Sequence, residues 1–231
     1  MMRKSKIFLP VLFFLLSAGN LFADPEYPKV LAVFGKAEIL EPPNGWRKLE
    51  SASSLKKGFK LRTGDKSSVE IVWDSELENM AMLDENAHLD ILSQNPPRLF
   101  LMRGKFFVLR EESASGDHEK TRLPMKFFTG DTLVEMKEGG CSIEAGKKET
   151  MVKVFSEKAS IFSLKEHRVS SEGKSAEEGF KFFSGKMDPR ISSRFQRMSY
   201  GDYADWQAWV RKSYEIKDDR AAKAFQEGIV L

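Results

Sequence analysis

One cysteine, Cys141, stands among 231 residues, so no intramolecular disulfide can hold this chain together. A lone thiol of this kind is expected to be buried as a small apolar side chain. Three histidines, His88, His118 and His167, share no spacing that would put two on one strand face or one helical turn, and Cys141 has no CxxC partner. No zinc site is expected. No Gly-x-Ser-x-Gly elbow occurs, and Gly173-Lys174-Ser175 has Arg168 where a phosphate-binding loop needs glycine. Acidic neighbours such as Asp84 with Glu85, or Glu76 with Glu78, arise by chance among 34 acidic residues. No catalytic residue, cofactor or metal ligand is assigned.

Clustered charge is also missing. The full chain carries a formal charge of +3, and removing Arg3, Lys4 and Lys6 takes 37 basic residues to 34, against 34 acidic. A neutral surface of interspersed signs gives nucleic acid nothing to hold.

What is present begins with a basic start and one apolar run, Ile7 to Phe22, closing at Leu21-Phe22-Ala23 before Asp24-Pro25. This is the pattern of a signal peptide over residues 1–23, cleaved after Ala23, which leaves no membrane span and predicts a periplasmic or otherwise exported protein. From Val30 to about Phe183, short runs of Val, Ile, Leu, Phe and Met alternate with polar residues and are punctuated by Gly, Asn and Asp. That period of two predicts an all-β fold, a compact sandwich or roll of many short strands in two related halves. The stretch "VLAVFGKAEIL" reads as a strand bent at Gly35, and "RLFLMRGKFFVLR" as a hairpin turning at Gly104-Lys105. Residues 111–122, "EESASGDHEKTR", lose all apolar content and predict a solvated loop between the halves.

Thr-Gly-Asp occurs twice, at Thr63 and at Thr129. Both copies predict the same turn, with Gly64 and Gly130 supplying a positive φ. Beyond Asp188-Pro189 the texture turns helical, from Tyr200 to about Lys212 and again from Asp218 to Gln226, with Asp202 or Ser199 as cap. The organisation is therefore a β domain over 24–187, then a linker and C-terminal α-helical segment over 188–231. On a wheel of about 100° per residue, Tyr203, Trp206, Val210 and Tyr214 form one stripe that should pack inward. Trp209 lies at its edge, about 60° from Trp206, and is the candidate for exposure and partner binding. Trp46, following Asn44-Gly45, is the second candidate; Trp73 closes an alternating strand and should belong to the core.

The segment "GKAEIL…GWRKLESASSLKKGFKLRTGDKSSVEIVW" resembles the extracytoplasmic FecR-like domain. Leu55, Gly58, Leu61, Thr63, Gly64 and Asp65 fit its Leu-x-x-Gly-x-x-Leu-x-Thr-Gly element, and "LFLMRGKFFV" and "TMVKVFSEKASIFS" are similar to its later strands. The likeness runs from about Val30 to Ser171. It departs at Gly140-Cys141-Ser142-Ile143, where Gly-Thr-x-Phe is frequent, and at Ser156-Glu157-Lys158. The resemblance implies a non-enzymatic binding or scaffold module of the periplasm or cell envelope whose partner is an envelope or periplasmic protein. Three further roles stay open: an accessory structural subunit of a periplasmic filament or envelope assembly, a signalling partner of an outer-membrane transporter and anti-sigma system, and cell-wall glycan binding.

Overall fold

The computed structural model describes residues 28–111, 123–147, 149–165, 168–170, 173–184 and 195–226. The segment expected to be a signal peptide, most of the polar loop, His118, His167 and Asp188-Pro189 lie outside these residues.

Alternation of apolar and polar residues gives each strand one face to bury, and two sheets, antiparallel but for one parallel pair in the second, do so against each other. The first sheet runs in the order β1 (Lys29–Phe34), β5 (Ser68–Val72), β6 (Asn79–Leu83), β8 (Pro97–Arg110), β11 (Gly139–Ala145), β12 (Thr150–Ser156), β16 (Phe180–Phe183) and β17 (Phe195–Arg197). The second runs β3 (Trp46–Lys48), β2 (Ala37–Leu40), β4 (Lys60–Thr63), β7 (His88–Gln94), β8, β9 (Met125–Phe128), β10 (Thr132–Met136), β13 (Lys158–Lys165) and β15 (Lys174–Glu177). A short β14 (Arg168–Val169) pairs with the end of β13. One core lies between the sheets, drawing Val69, Phe106, Ile143 and Val152 from the first and Ile39, Leu61, Leu89, Phe127 and Val134 from the second. Cys141 is buried in it as expected, and burial pushes its thiol up to about 12. Trp73 packs against this core.

Strand β8 belongs to both sheets. Its first half pairs with β7 and β9, its second with β6 and β11, and Gly104 stands between them at φ +89°. The hairpin expected at Gly104-Lys105 does not form. The residues before Gly104 pair with β7 and β9 and those after it with β6 and β11, not with each other, so its positive φ bends the strand without reversing it. A Cβ at Gly104 would also collide with Ala87, so the bend requires glycine on packing grounds as well. Gly35, at φ +73°, bends the chain between β1 and β2 as the sequence indicated.

The two Thr-Gly-Asp turns differ from each other and from the expected mechanism. Thr63 to Asp65 carries the chain from β4 in the second sheet to β5 in the first, whereas Thr129 to Asp131 joins the paired neighbours β9 and β10. Neither Gly64 nor Gly130 adopts a positive φ; Lys66, at 50°, takes that role beside the first turn. The threonines fix the geometry instead. Thr63 Oγ1 donates to the Asp84 carbonyl at 2.5 Å and accepts from the Ala87 N–H at 3.0 Å. Thr129 Oγ1 accepts from the Thr132 N–H at 3.1 Å.

A single helix, α1 (Tyr200–Gln226), replaces the two expected helical stretches. Its N-terminus carries a reciprocal cap: the Asp202 N–H donates to the Ser199 carbonyl at 3.0 Å, and the Ser199 N–H donates to Asp202 Oδ2 at 2.8 Å.

Candidate functional site

The outer faces of the two sheets are treated differently. Helix α1 lies across the outer face of the first sheet and follows one row of cross-strand neighbours, Glu70, Met82, Phe107, Ser142, Lys153 and Lys181. Trp206 stacks on Phe155 with centroids 4.5 Å apart and planes 5° from parallel, and Trp209 packs on Phe107 at 5.6 Å. Gly140 makes the notch for Trp206, since a Cβ there would overlap the indole. Both tryptophans are buried, Trp206 at 8% exposure and Trp209 at 3%. The expected exposure of Trp209 is thus overturned, and the surface it was to offer a partner is occupied by the chain's own sheet. Tyr214, placed on the inward stripe by the wheel, is instead 46% exposed and donates to Glu111. The physical reason is the rotation of the helix: Trp206, Trp209 and Ser213 are buried, Tyr203 and Val210 are partly buried beside them as the stripe indicated, and the ionic contacts help to select this face.

Those contacts are ordered by sign. Asp202 meets Lys153 at 2.9 Å and Lys181 at 3.0 Å, and Asp205 meets Lys105 at 2.7 Å. Further along, Lys212 meets Glu70 at 3.3 Å and Lys217 meets Glu111 at 2.7 Å. Acids early and bases late on the helix face bases and acids in the same order on the sheet, which fixes one docking direction. The arrangement also suits the helix dipole. Burial opposes ionisation of Asp202, but donors from Lys153, the Ser199 backbone, Lys181 and the Ser199 hydroxyl outweigh it and hold the carboxyl far below its ordinary value. Glu70 is the opposite case. Its side chain is fully buried with neither oxygen hydrogen-bonded, and burial raises it while Lys212 pulls the other way.

The second sheet's outer face is laid out by register. Core residues alternate inward on its strands, so their neighbours face outward, and one line crosses the sheet through Trp46, Leu40, Lys60, Asp90, Phe100, Phe128, Leu133 and Phe162. Phe100, Phe128 and Phe162 are half-buried, and Met102 and Leu92 beside the line are 49% and 40% exposed. Leu133 is buried at 3% exposure and the chain at Gly173 packs on the Phe162 ring, so the part of this face with no helix or strand over it among the described residues is the stretch around Phe100, Met102 and Phe128. Ion pairs border it: Lys60 with Asp90, Arg62 with Glu38 at 2.7 Å, and Lys126 with Glu135. Trp46 lies at one end, half-buried as its position after Asn44-Gly45 suggested. The Arg62 guanidinium sits 4.1 Å over its ring, and His88 meets it edge-on at 5.6 Å. Burial lowers His88, against the pull of Asp90 at 3.5 Å, so the imidazole is neutral at neutral pH. Next to Phe128 and Leu133 is the second Thr-Gly-Asp turn, with the carboxylate of Asp131 ringed by hydroxyls.

Sequence reasoning marked Trp46 but missed Phe100, Phe128 and Phe162. Each sits in an apolar run whose two faces look alike in the sequence, and only the register separates inward from outward. Among the described residues no three His, Cys, Asp or Glu side chains gather as a metal site, and no helix is long and apolar enough to cross a membrane.

A two-sheet β body carrying one C-terminal helix is the class this architecture defines. No family model matches the chain, and no curated protein matches it. Two crystal structures of a "putative anti-sigma factor" from Parabacteroides distasonis ATCC 8503 are similar to it in shape. One, at 8% identity and a TM-score of 0.45, aligns with 65% of this chain and 64% of its own; the other, at 8% and 0.42, with 61% and 59%. The chain thus spans less than two thirds of the length of either.

Proposed function

We propose that this is an exported, non-enzymatic, FecR-like binding or scaffold module that docks an envelope or periplasmic protein on the outer face of its second sheet. One observation carries the reading: the first sheet is sealed by the protein's own helix, while the second presents the half-buried rings of Phe100 and Phe128 beside exposed Met102 with no helix or strand over them among the described residues. Aromatic and methionine side chains at the centre of a patch, rimmed by charge, are the composition of a protein interface. Export is supported by the signal-like residues 1–23. Glycan binding by Trp46 is disfavoured, because Arg62 already occupies a face of the indole on which a sugar ring would stack.

Affinity capture from envelope extract, with the wild type and Phe128→Asp as baits, tests the proposal. A specific partner recovered by the wild type and lost with Phe128→Asp, at unchanged melting temperature, is the expected result. Equal recovery by both baits would overturn the assignment of the face.

A further inference from the structure

Where the uncovered face of the second sheet ends at the second Thr-Gly-Asp turn, it opens into a cavity of about 400 Å³. This is within the size range of small-ligand sites. Phe100, Met102 and Ala145 give it apolar lining, and Lys147, Glu149 and Thr150 of the β11–β12 hairpin line it as well. Asp131 is part of the same lining. Thr150, Thr132 and Thr129 donate to Asp131 Oδ1 at 2.7, 3.0 and 3.2 Å, while Oδ2 receives the Ser184 hydroxyl. Burial would raise this carboxyl, but the four hydroxyls outweigh it and lower it, so the group stays ionised.

Three features set this turn apart from its twin. Asp65 is exposed and lines no such cavity, whereas Asp131 is half-buried in one. Among the described residues every hydrogen bond that the Asp131 carboxylate receives comes from a neutral hydroxyl, and no ion pair includes it. Oδ1 takes three of the four hydrogen bonds and Oδ2 one, so Oδ2 is the less crowded oxygen. A negative charge with no cation paired to it among the described residues, in a cavity lined also by Phe100 and Met102, matches a cation on an apolar stem. Lysine and arginine are the side chains with that build.

We propose that this cavity receives a lysine or arginine side chain of the protein docked on the second sheet. The stem lies on Phe100 and Met102, and the ammonium or guanidinium reaches the Asp131 carboxylate. The inference rests on the docking role of that face. Lys147, exposed and itself part of the lining, is the competing occupant from within the chain.

The test is an NMR titration of the full mature chain, labelled at backbone amides and methionine methyls, with N-acetyl-lysine methylamide, N-acetyl-arginine methylamide and, as uncharged control, N-acetyl-norleucine methylamide. Saturable shifts confined to Met102, Gly130 and Gly146, at least tenfold weaker for the norleucine compound, are expected. Asp131→Asn should lose the response. Because Asp131 also ties strands together, Met102→Lys serves as the second variant: at an exposed position it places an ammonium in the cavity mouth and should block the probes with the fold intact. Equal binding of norleucine, shifts scattered elsewhere, or undiminished binding to Met102→Lys would overturn the proposal. Binding seen only in Lys147→Ala would assign the cavity to the chain's own Lys147 and overturn it equally. In capture experiments, partner loss with Phe128→Asp but not with Met102→Lys would refute the cavity while the docking face stands. Probe binding with capture unaffected by Phe128→Asp would refute the face instead.

Discussion

At the scale of single residues, buried polar groups separate into those the fold satisfies and those it tolerates. Asp131 has four donors, whereas Glu70 has a lysine at 3.3 Å and no aligned hydrogen bond. A carboxylate whose folded value is raised contributes stability below its unfolded value, near 4.3, and loses it as pH rises through the folded value. Glu70→Gln removes that loss. Lys212 is partly exposed and can hydrate once its partner is neutral. The variant should therefore match or exceed the wild type at pH 7, by about 1 kcal/mol. The gain should vanish below about pH 4, and urea melts across that range check both statements. Glycines separate in the same way. Gly104→Ala meets Ala87 at a positive φ and should cost about 2–4 kcal/mol, while Gly130→Ala has open space and negative-φ backbone and should cost under about 1 kcal/mol. Thermal melts of the pair decide it, and equal losses would refute the distinction.

At the scale of elements, α1 is held by two tryptophans and a sequence of ion pairs. With both indoles buried, Trp206→Ala and Trp209→Ala should each destabilise by roughly 3–5 kcal/mol, as large-to-small core changes do. A fully stable Trp209→Ala would contradict the buried position. Asp202 adds a pH signature. Its carboxyl lies below the ordinary value when folded, so its stabilisation is complete above about pH 4 and is lost as pH falls further. Asp202→Asn should flatten the acid limb of a stability-against-pH curve, and an unchanged limb would refute the role. The existence of this helix was legible in the sequence, and Ser199 and Asp202 were readable as its cap. Its rotation was not, because the wheel ranks apolar residues alone, while the buried stripe is set also by Lys105, Lys153 and Lys181 on distant strands. Strand β8 failed for a related reason: its apolar runs flank a glycine whether the chain reverses or passes on to a second sheet. Which happens depends on β6, β9 and β11, far away in the chain. The site shows the same limit. Trp46 is conspicuous in any sequence, but the line from Phe100 to Phe162 exists only once register is fixed.

At the scale of the whole molecule there are two apolar clusters with different dependence on α1. The first, between the sheets, contains no helical residue; the second joins Val72, Met80, Phe107, Leu109 and Phe155 to Trp206 and Trp209. A chain ending at Met198 should therefore keep its β core while uncovering five large apolar side chains on one face. Contiguous exposed surface of this kind drives association. The truncated protein should retain its β circular dichroism, bind a hydrophobic dye that the full chain does not, and sediment as oligomers. It should still give the cavity shifts with N-acetyl-lysine methylamide, because Phe100, Met102 and Asp131 lie on the opposite sheet. Loss of β structure on truncation would show that the helix is needed for the body to fold. A monomeric, dye-silent truncation would show instead that the first sheet needs no cover, removing the contrast between faces on which the choice of docking surface depends.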